Sequence, residues 1–349
     1  MDGCSFCMCA GRGGLHVRMV LSWVTVGERA LRARRREPPM QMSIVLAKQV
    51  LVMFALVGVG YAMFRAHKIS MEGNRVIGNV LIYLSLPAVI IRSFMIERTP
   101  EHALALVLGT AVALVLLVLA AVVARVVCGR DAIGNFAGTF SNPSFFGIPL
   151  VVATVGAKSV FYNVGFIALM NIGQWTYGVS LLTHQNGEPS PTPRQVLRDV
   201  ATAPFMIASL VGVALFCTQP PLPDVVTTCL DDVAALNTPL AMFMIGVYLA
   251  QTDVRRMLAR MANYRVALAR IVVSPLFSLA LLSVIPGMPY QMRMALLIAA
   301  ACPVGANVAV YAQLHDADYA YAVETVVVSV LLSIVTVPLV VGLANLVWL

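Results

Sequence analysis

Long apolar runs separated by short polar segments make up the chain from Ser43 onward. We count ten runs of roughly 20 residues or more, the length that a helix needs to cross about 30 Å of hydrocarbon. The pattern therefore predicts an all-α polytopic membrane protein with ten transmembrane helices. The predicted helices lie at approximately 44–65, 74–94, 103–127, 133–155, 160–183, 196–217, 230–250, 263–285, 292–313 and 319–346.

Two of these runs contain residues that cannot continue a regular helix. The fourth includes segment 140–150 (FSNPSFFGIPL) and the ninth includes segment 301–308 (ACPVGANV). Proline removes a backbone N–H and clashes with the preceding turn. In lipid, a freed backbone group costs several kcal/mol unless protein or a water-filled cavity satisfies it. Broken helices at corresponding positions in two halves of a membrane protein indicate the binding site of a transporter.

The two halves of the chain share short matches in the same order. Five predicted helices occupy 42–185 and five occupy 196–349, joined by a polar, proline-rich linker at 186–195 that we predict to be cytoplasmic. Because five is an odd number, the second half enters the membrane from the opposite side, which predicts a 5+5 inverted repeat. The matching segments, at offsets of 152 to 160, are 84–88 with 236–240, 57–59 with 211–213, and 142–143 with 302–303.

The few charged residues of this chain indicate its orientation in the membrane. Hydrophobic residues make up 60% of the 349 and charged residues only 11%, against about 45–50% and 25% in soluble domains. The formal charge of +8 lies in short loops, which argues against nucleic acid as a partner. Eleven Arg and Lys residues follow odd-numbered helices and four lie on the other side, so we predict a cytoplasmic (inner) membrane protein with both termini outside.

Residues 1–41 differ from the remainder. They contain seven arginines and a net charge of +4, and the predicted topology would carry them across the membrane against the charge rule. We interpret them as an N-terminal extension that is disordered or lies before the natural start, which would be Met42 or Met40.

The breaks carry the candidate chemistry. A half-helix N-terminus behaves like roughly half a positive charge and offers free N–H groups, so it can hold a carboxylate. Four residues at the breaks are candidate substrate-binding residues, the asparagines through their amides: Asn142, Pro143, Pro303 and Asn307. The alternative is that these amides only satisfy the backbone that the prolines free. Two further candidates are Asn237 in helix 7 and Gln174 in helix 5, for which interhelical hydrogen bonding is the alternative.

Glu324 is the candidate coupling residue. It lies within helix 10, where an ionisable group is expensive and usually functional. With Gln313 it could bind sodium, or it could couple transport to a proton; the alternative is a solvated position near the membrane surface. The cysteines and histidines form no complete metal-ligand pattern, and we predict neither a metal nor another cofactor.

Segment 142–150, segment 301–307 and the closing segment 329–339 (SVLLSIVTVPL) resemble the auxin efflux carrier family, which includes bacterial permeases described as malonate transporters. The resemblance covers about 42–349. It implies a fold like that of the sodium/bile-acid symporters, in which helices 4 and 9 cross. It also implies a carboxylate held at the crossing, an elevator-like movement against a scaffold of helices 1, 2, 6 and 7, and a homodimer. Segment 142–143 reads Asn-Pro, whereas the plant members have Pro-Asn.

The predicted function is secondary transport of a small organic anion, such as malonate or another carboxylate, and not catalysis. A sodium-coupled symporter of another solute is one alternative. A membrane-embedded enzyme or a sensor is the alternative from a different class, but neither His-Glu-x-x-His nor Gly-x-Ser-x-Gly occurs. A Walker-type glycine loop is also absent from the sequence, which disfavours ATP-driven transport.

Overall fold

A computed structural model describes residues 39–186 and 192–348. Within these ranges the chain is helical and contains no strand apart from one isolated β-bridge, which confirms the all-α prediction. Six helices are long and apolar enough to cross a membrane, and two shorter apolar helices accompany them. The predicted N-terminal extension at 1–41 lies outside the described residues except for 39–41, which belong to the first helix, and the predicted linker at 186–195 lies outside them at 187–191.

The helices are labelled here after the predicted run in which each lies. They are α1 (Pro39–Arg65), α2 (Met71–Phe94), α3 (Pro100–Cys128), α4a (Ala132–Thr139), α4b (Pro143–Val155), α5 (157–186), α6a (Pro193–Thr202), α6b (Pro204–Thr218), α7 (Asp224–Gln251), α8 (Met261–Val284), α9a (Tyr290–Ala301), α9b (Asn307–Leu314) and α10 (Tyr319–Trp348).

Side-chain caps define where several helices begin. Thr99 accepts a hydrogen bond from the His102 N–H at the start of α3, and Asp131 accepts one from the Gly134 N–H at the start of α4a. Such caps satisfy the first N–H groups of a helix, which have no partner inside it. Helix α7 begins at Asp224, six residues before the predicted 230; half of these six residues are polar and most are exposed, so their hydropathy signal is weak.

Glycines allow α1 and α7 to pack closely. A Cβ on Gly60 would lie 2.4 Å from the Phe243 carbonyl oxygen, and one on Gly246 would lie 2.2 Å from the Val57 carbonyl oxygen. Helices in lipid gain little from burying apolar surface, so close backbone approach at small residues is a main source of their association. Helix α2 packs in a similar way on α6b, where Gly212 accommodates the Phe94 ring.

The broken helices occupy the interior. All eight residues of α4a are buried, and α9a is buried from Met294 to its end. Helices α3, α5, α8 and α10 pack around them. On α3, in contrast, Val107 and Val126 are 66% and 77% exposed, as expected for a surface that contacts lipid. The result is a polar centre formed by two interrupted helices inside an apolar shell.

Candidate functional site at the helix crossing

The two breaks run antiparallel and pair with each other through their backbones. Ser141 and Val304 form the isolated bridge. The Asn142 N–H donates to the Pro303 carbonyl at 2.9 Å, and the Gly305 N–H donates to the Phe140 carbonyl at 3.0 Å. We call the paired segments 140–142 and 303–305 the crossover. Its two bonds satisfy backbone groups that the helix breaks would otherwise leave without partners inside the membrane.

Side chains from both halves reinforce the crossover. The Ser141 hydroxyl donates to the Ala299 carbonyl at 2.9 Å. The Val304 N–H donates to the Ser329 hydroxyl oxygen of α10 at 3.0 Å. Gly305 is required by the close approach of the two segments, since a Cβ there would lie 2.8 Å from the Ser141 carbonyl oxygen.

A small cavity lies where the crossover meets α5. Its volume of about 20 Å³ gives room for about one water molecule. The first residues of α4b and α9b form much of its wall, so two helix N-termini face it. The lining residues are Ser141, Asn142, Pro143, Ser144, Phe145, Met170, Asn171, Gln174, Gly305, Ala306 and Asn307.

Asn142, which lines this cavity, has a side-chain donor without a hydrogen-bond partner. Its side-chain oxygen accepts from the Phe145 N–H at 3.1 Å and so caps α4b. Its amide nitrogen Nδ2 is buried and has no hydrogen-bond partner, although the residue is only 4% exposed. A buried amide N–H₂ without an acceptor costs about 1–3 kcal/mol, so this group is suited to an acceptor that enters the cavity.

Asn307 and Gln174 meet across the cavity. The Asn307 Nδ2 donates to the Gln174 Oε1 at 2.9 Å, which leaves the Gln174 amide nitrogen for other acceptors. Asn171 also lines the cavity, but its Nδ2 bonds the Ile167 carbonyl within α5 at 2.8 Å. Three of the four amide residues predicted as ligands therefore line the same small cavity: Asn142, Gln174 and Asn307.

The remaining residues predicted to bind substrate are Pro143, Pro303 and Asn237, which lie in or next to the cavity wall. Pro143 lines it, and Pro303 supplies the carbonyl that pairs with Asn142. Asn237 does not line it; its Nδ2 donates to the Ser144 carbonyl at 2.9 Å, while its Oδ1 is buried without a partner. Asn237 thus connects α7 to the first turn of α4b.

Glu324 lies away from the cavity, in an ion-pair cluster at the start of α10. It is buried, and its carboxylate accepts from the Asn263 Nδ2 at 3.1 Å. The guanidinium groups of Arg256 and Arg260 each lie 3.6 Å from it. Gln313, its predicted companion, is exposed on α9b and does not line the cavity.

The same cluster continues to Asp318 in the connection before α10. Arg260 pairs with Asp318 at 3.0 Å and lies over the Tyr321 ring, 3.9 Å from its centre. Partial burial opposes ionisation of Asp318, but bonds from the Tyr321 N–H and from Arg260 hold its pKa below the usual range. The cluster therefore ties the connection 252–260 to α10.

Arg270 is a central residue that the sequence analysis missed. It lies on α8, is only 1% exposed, and donates to the Thr139 carbonyl at 2.9 Å and to the Ala300 carbonyl. A third bond goes to the Gly138 carbonyl at 3.3 Å. The available signal was an arginine inside the apolar run 263–285, since an ionisable residue in a membrane helix is a functional candidate by default.

Comparison with known proteins places the chain in a family. Residues 45–341 match the family described as "Membrane transport protein". The chain belongs to this family. It is the auxin efflux carrier family that segments 142–150, 301–307 and 329–339 predicted, so that prediction is confirmed.

One relative of this membrane transport protein carries a substrate in its name. The protein of Rhizobium meliloti (strain 1021) named "Putative malonate transporter" is 26% identical over 302 residues, which cover 82% of this chain and 92% of that protein. The family and this relative indicate a transporter and not an enzyme.

A larger cavity in this membrane transport protein has the wrong chemistry for a polar solute. It measures about 470 Å³ and lies between α3, α5 and the end of α4a. Its wall is almost entirely apolar, with Arg125 at one end. Among the residues that the structure describes, no group of three or more His, Cys, Asp or Glu side chains could hold a metal ion.

Proposed function

We propose that this chain is a secondary transporter that moves a small organic anion, malonate or another carboxylate, across the cytoplasmic membrane. In this proposal the carboxylate binds at the crossover. The observation that carries it is the Asn142 Nδ2, a buried donor without a partner, on a residue that lines a polar cavity at the N-terminus of α4b. An anion would supply the acceptor that this amide lacks.

The electrostatics of the cavity favour a negative ligand. The N-termini of α4b and α9b each contribute roughly half a positive charge where residues 142–145 and 305–307 line the wall. Neither Asp nor Glu is among the lining residues. A carboxylate in this cavity would accept hydrogen bonds from the Asn142 amide and from the paired amides of Asn307 and Gln174. No acidic side chain in the cavity wall would repel it.

The size of the cavity bears on the mechanism. Room for about one water molecule is too small for a dicarboxylate, so binding requires the cavity to widen. We propose that it widens by an elevator-like movement of the helices around the crossover against a scaffold of α1, α2, α6b and α7. The bond between Asn237 of α7 and the Ser144 carbonyl crosses that boundary and would break during the movement.

A 5+5 inverted repeat is part of the proposal. Helix α1 packs on α7, and α2 packs on α6b. In a 5+5 repeat α1 corresponds to α6 and α2 corresponds to α7, so each of these two contacts is the repeat-related counterpart of the other. The two crossover bonds are also counterparts, at an offset of 163 residues that relates Asn142 to Gly305 and Phe140 to Pro303, instead of the offset of 160 from the sequence match. The distribution of Arg and Lys over the loops supports cytoplasmic odd-numbered loops with both termini outside.

Malonate enters the proposal through the family resemblance and the named relative. A proton or sodium ion is the proposed coupling ion, with Glu324 and Gln313 as its candidate residues. Protonation of Glu324 would weaken its contacts with Arg256 and Arg260 and so loosen the link between α10 and the connection 252–260. A scaffold-mediated homodimer is also proposed, from family resemblance.

The test is ligand-induced thermal stabilisation of the purified protein by a panel of small mono- and dicarboxylates. The variant is Asn142→Asp, which keeps the oxygen that caps α4b but replaces the free donor with an acid. The matched control is Asn345→Asp. Asn345 of α10 is also buried, also has a side-chain oxygen that accepts a hydrogen bond (from Tyr290), and also has a buried Nδ2 without a partner.

We expect at least one carboxylate to raise the melting temperature of the wild type and of Asn345→Asp, and to leave Asn142→Asp unchanged. Loss of a charged hydrogen bond and addition of a repelling charge would each cost about 1.5–3 kcal/mol, so the affinity of Asn142→Asp should fall by at least a hundredfold. Equal stabilisation of all three proteins, or stabilisation only by neutral or cationic solutes, would refute the proposal.

A further inference from the structure

Arg270 brings a full charge to the back of the crossover. Its guanidinium bonds the last carbonyls of α4a, at Gly138 and Thr139, and a last-turn carbonyl of α9a, at Ala300. One side chain thereby caps the C-termini of both broken helices at once. Among the described residues, no Asp or Glu forms an ion pair with it.

The charge balance of the crossover depends on this residue. Four helix ends meet there: the C-termini of α4a and α9a, each worth about half a negative charge, and the N-termini of α4b and α9b, each worth about half a positive charge. These four ends alone sum to about zero. Arg270 offsets the two negative ends and leaves a net of about one positive charge facing the cavity.

We propose that Arg270 is the residue that makes the crossover select anions. This inference rests on the proposed function and deepens it by naming the source of the charge preference. In this view Asn142, Gln174 and Asn307 recognise the shape of the carboxylate, and Arg270 determines the sign of the charge without contacting the substrate. Without Arg270, the preference of the same amides for a carboxylate over a neutral amide would be smaller.

A capping role alone makes a different prediction from a charge-selecting role. If Arg270 only satisfies carbonyls, its loss weakens the fold and lowers the binding of every ligand by the same factor. If it supplies the charge, its loss lowers the ratio of anion affinity to neutral-ligand affinity. The pair of probes is malonate and its neutral diamide, malonamide, which have closely similar shapes and differ in charge.

The experiment measures the affinities of both probes by titration calorimetry in the full-length protein. Residues 139 and 142 are three residues apart, so their Cα atoms lie at most about 11 Å apart, and we take about 10 Å as the order of magnitude of the distance from the Arg270 guanidinium to a ligand at the crossover. A unit charge at that distance and an effective dielectric constant near 20 changes anion affinity by roughly ten- to twentyfold. We expect Arg270→Gln to lower the malonate-to-malonamide affinity ratio by that factor and Arg270→Lys to keep it within about threefold.

A second variant avoids removing the arginine, in case Arg270→Gln does not fold. Ser274 lies four residues later on α8, is 1% exposed, and has a hydroxyl without a hydrogen-bond partner. The turn between them, Leu268–Val273, is π-helical, and four residues are close to one turn of such a helix, so Ser274→Asp introduces a carboxylate on the same side of α8 as Arg270 and offsets its charge. Ser274→Asn is the matched neutral control.

We expect Ser274→Asp to lower the affinity ratio by about the same ten- to twentyfold factor and Ser274→Asn to leave it unchanged. A ratio that stays at the wild-type value in Ser274→Asp or in folded Arg270→Gln overturns the inference. A wild-type protein that binds no carboxylate refutes the proposed function instead, so the two failures are distinguishable.

Discussion

The close approach of the two broken helices at Gly305 gives a sharp test of the crossover. In Gly305→Ala the new Cβ would lie 2.8 Å from the Ser141 carbonyl oxygen, whereas ordinary contacts begin at about 3.4 Å. The two segments must therefore separate by roughly 0.6 Å. The bond between the Gly305 N–H and the Phe140 carbonyl, now 3.0 Å, would be the first to lengthen.

The energetic cost has two parts. Overpacking a well-packed interior costs about 1–3 kcal/mol, and weakening one backbone hydrogen bond costs about 0.5–1.5 kcal/mol. We expect Gly305→Ala to lower the free energy of unfolding by about 2–4 kcal/mol. Because Gly305 and the two residues after it line the cavity, carboxylate affinity should also fall by about tenfold or more.

The assay is unfolding in mixed detergent and lipid micelles, followed by the thermal shift that a bound carboxylate produces. Gly58→Ala is the control for the substitution itself, since a Cβ there meets nothing within 4 Å. A helix-interior Gly→Ala change at an open position stabilises by about 0.5–1 kcal/mol. If Gly305→Ala is as stable as the wild type and keeps the carboxylate shift, the described crossover geometry is wrong.

Three further predictions concern other parts of the molecule. Gly60→Ala should destabilise the protein by about 1–3 kcal/mol, because its Cβ would lie 2.4 Å from a carbonyl oxygen of α7; an unfolding midpoint as high as that of Gly58→Ala would contradict this. Glu324→Gln should leave carboxylate affinity within about threefold while removing any dependence of uptake on a proton or sodium gradient, and a gradient effect equal to the wild type would exclude Glu324 from coupling. Gln174→Leu removes the acceptor that orients Asn307 and should weaken carboxylate binding by about three- to tenfold, less than Asn142→Asp; unchanged affinity on calorimetry would show that this pair does not contact the ligand.

Much of the fold could be predicted from local sequence properties. Hydropathy located the apolar runs, because lipid requires about 20 apolar residues for each crossing. Proline chemistry located both breaks, since Pro143 and Pro303 cannot continue a helix. The start of α7 at Asp224 was missed because its first six residues are half polar and mostly exposed, which gives only a weak hydropathy signal.

The site depends on contacts between residues far apart in the chain, which hydropathy does not reveal. The bond between Asn307 and Gln174 joins positions 133 residues apart, and the bond between Arg270 and Thr139 joins positions 131 residues apart. Glu324 illustrates the same limit. Its position in a membrane helix was visible in the sequence, but its arginine partners depend on how the connection 252–260 folds back onto α10.

Uptake of labelled malonate into proteoliposomes is the measurement that tests the central claim most directly. The purified wild type, Asn142→Asp and the control Asn345→Asp would be reconstituted at equal density and preloaded with unlabelled malonate. We expect saturable exchange in the wild type and in Asn345→Asp, and less than about one hundredth of that rate in Asn142→Asp. Equal exchange by Asn142→Asp and the wild type would contradict an anion site at the crossover.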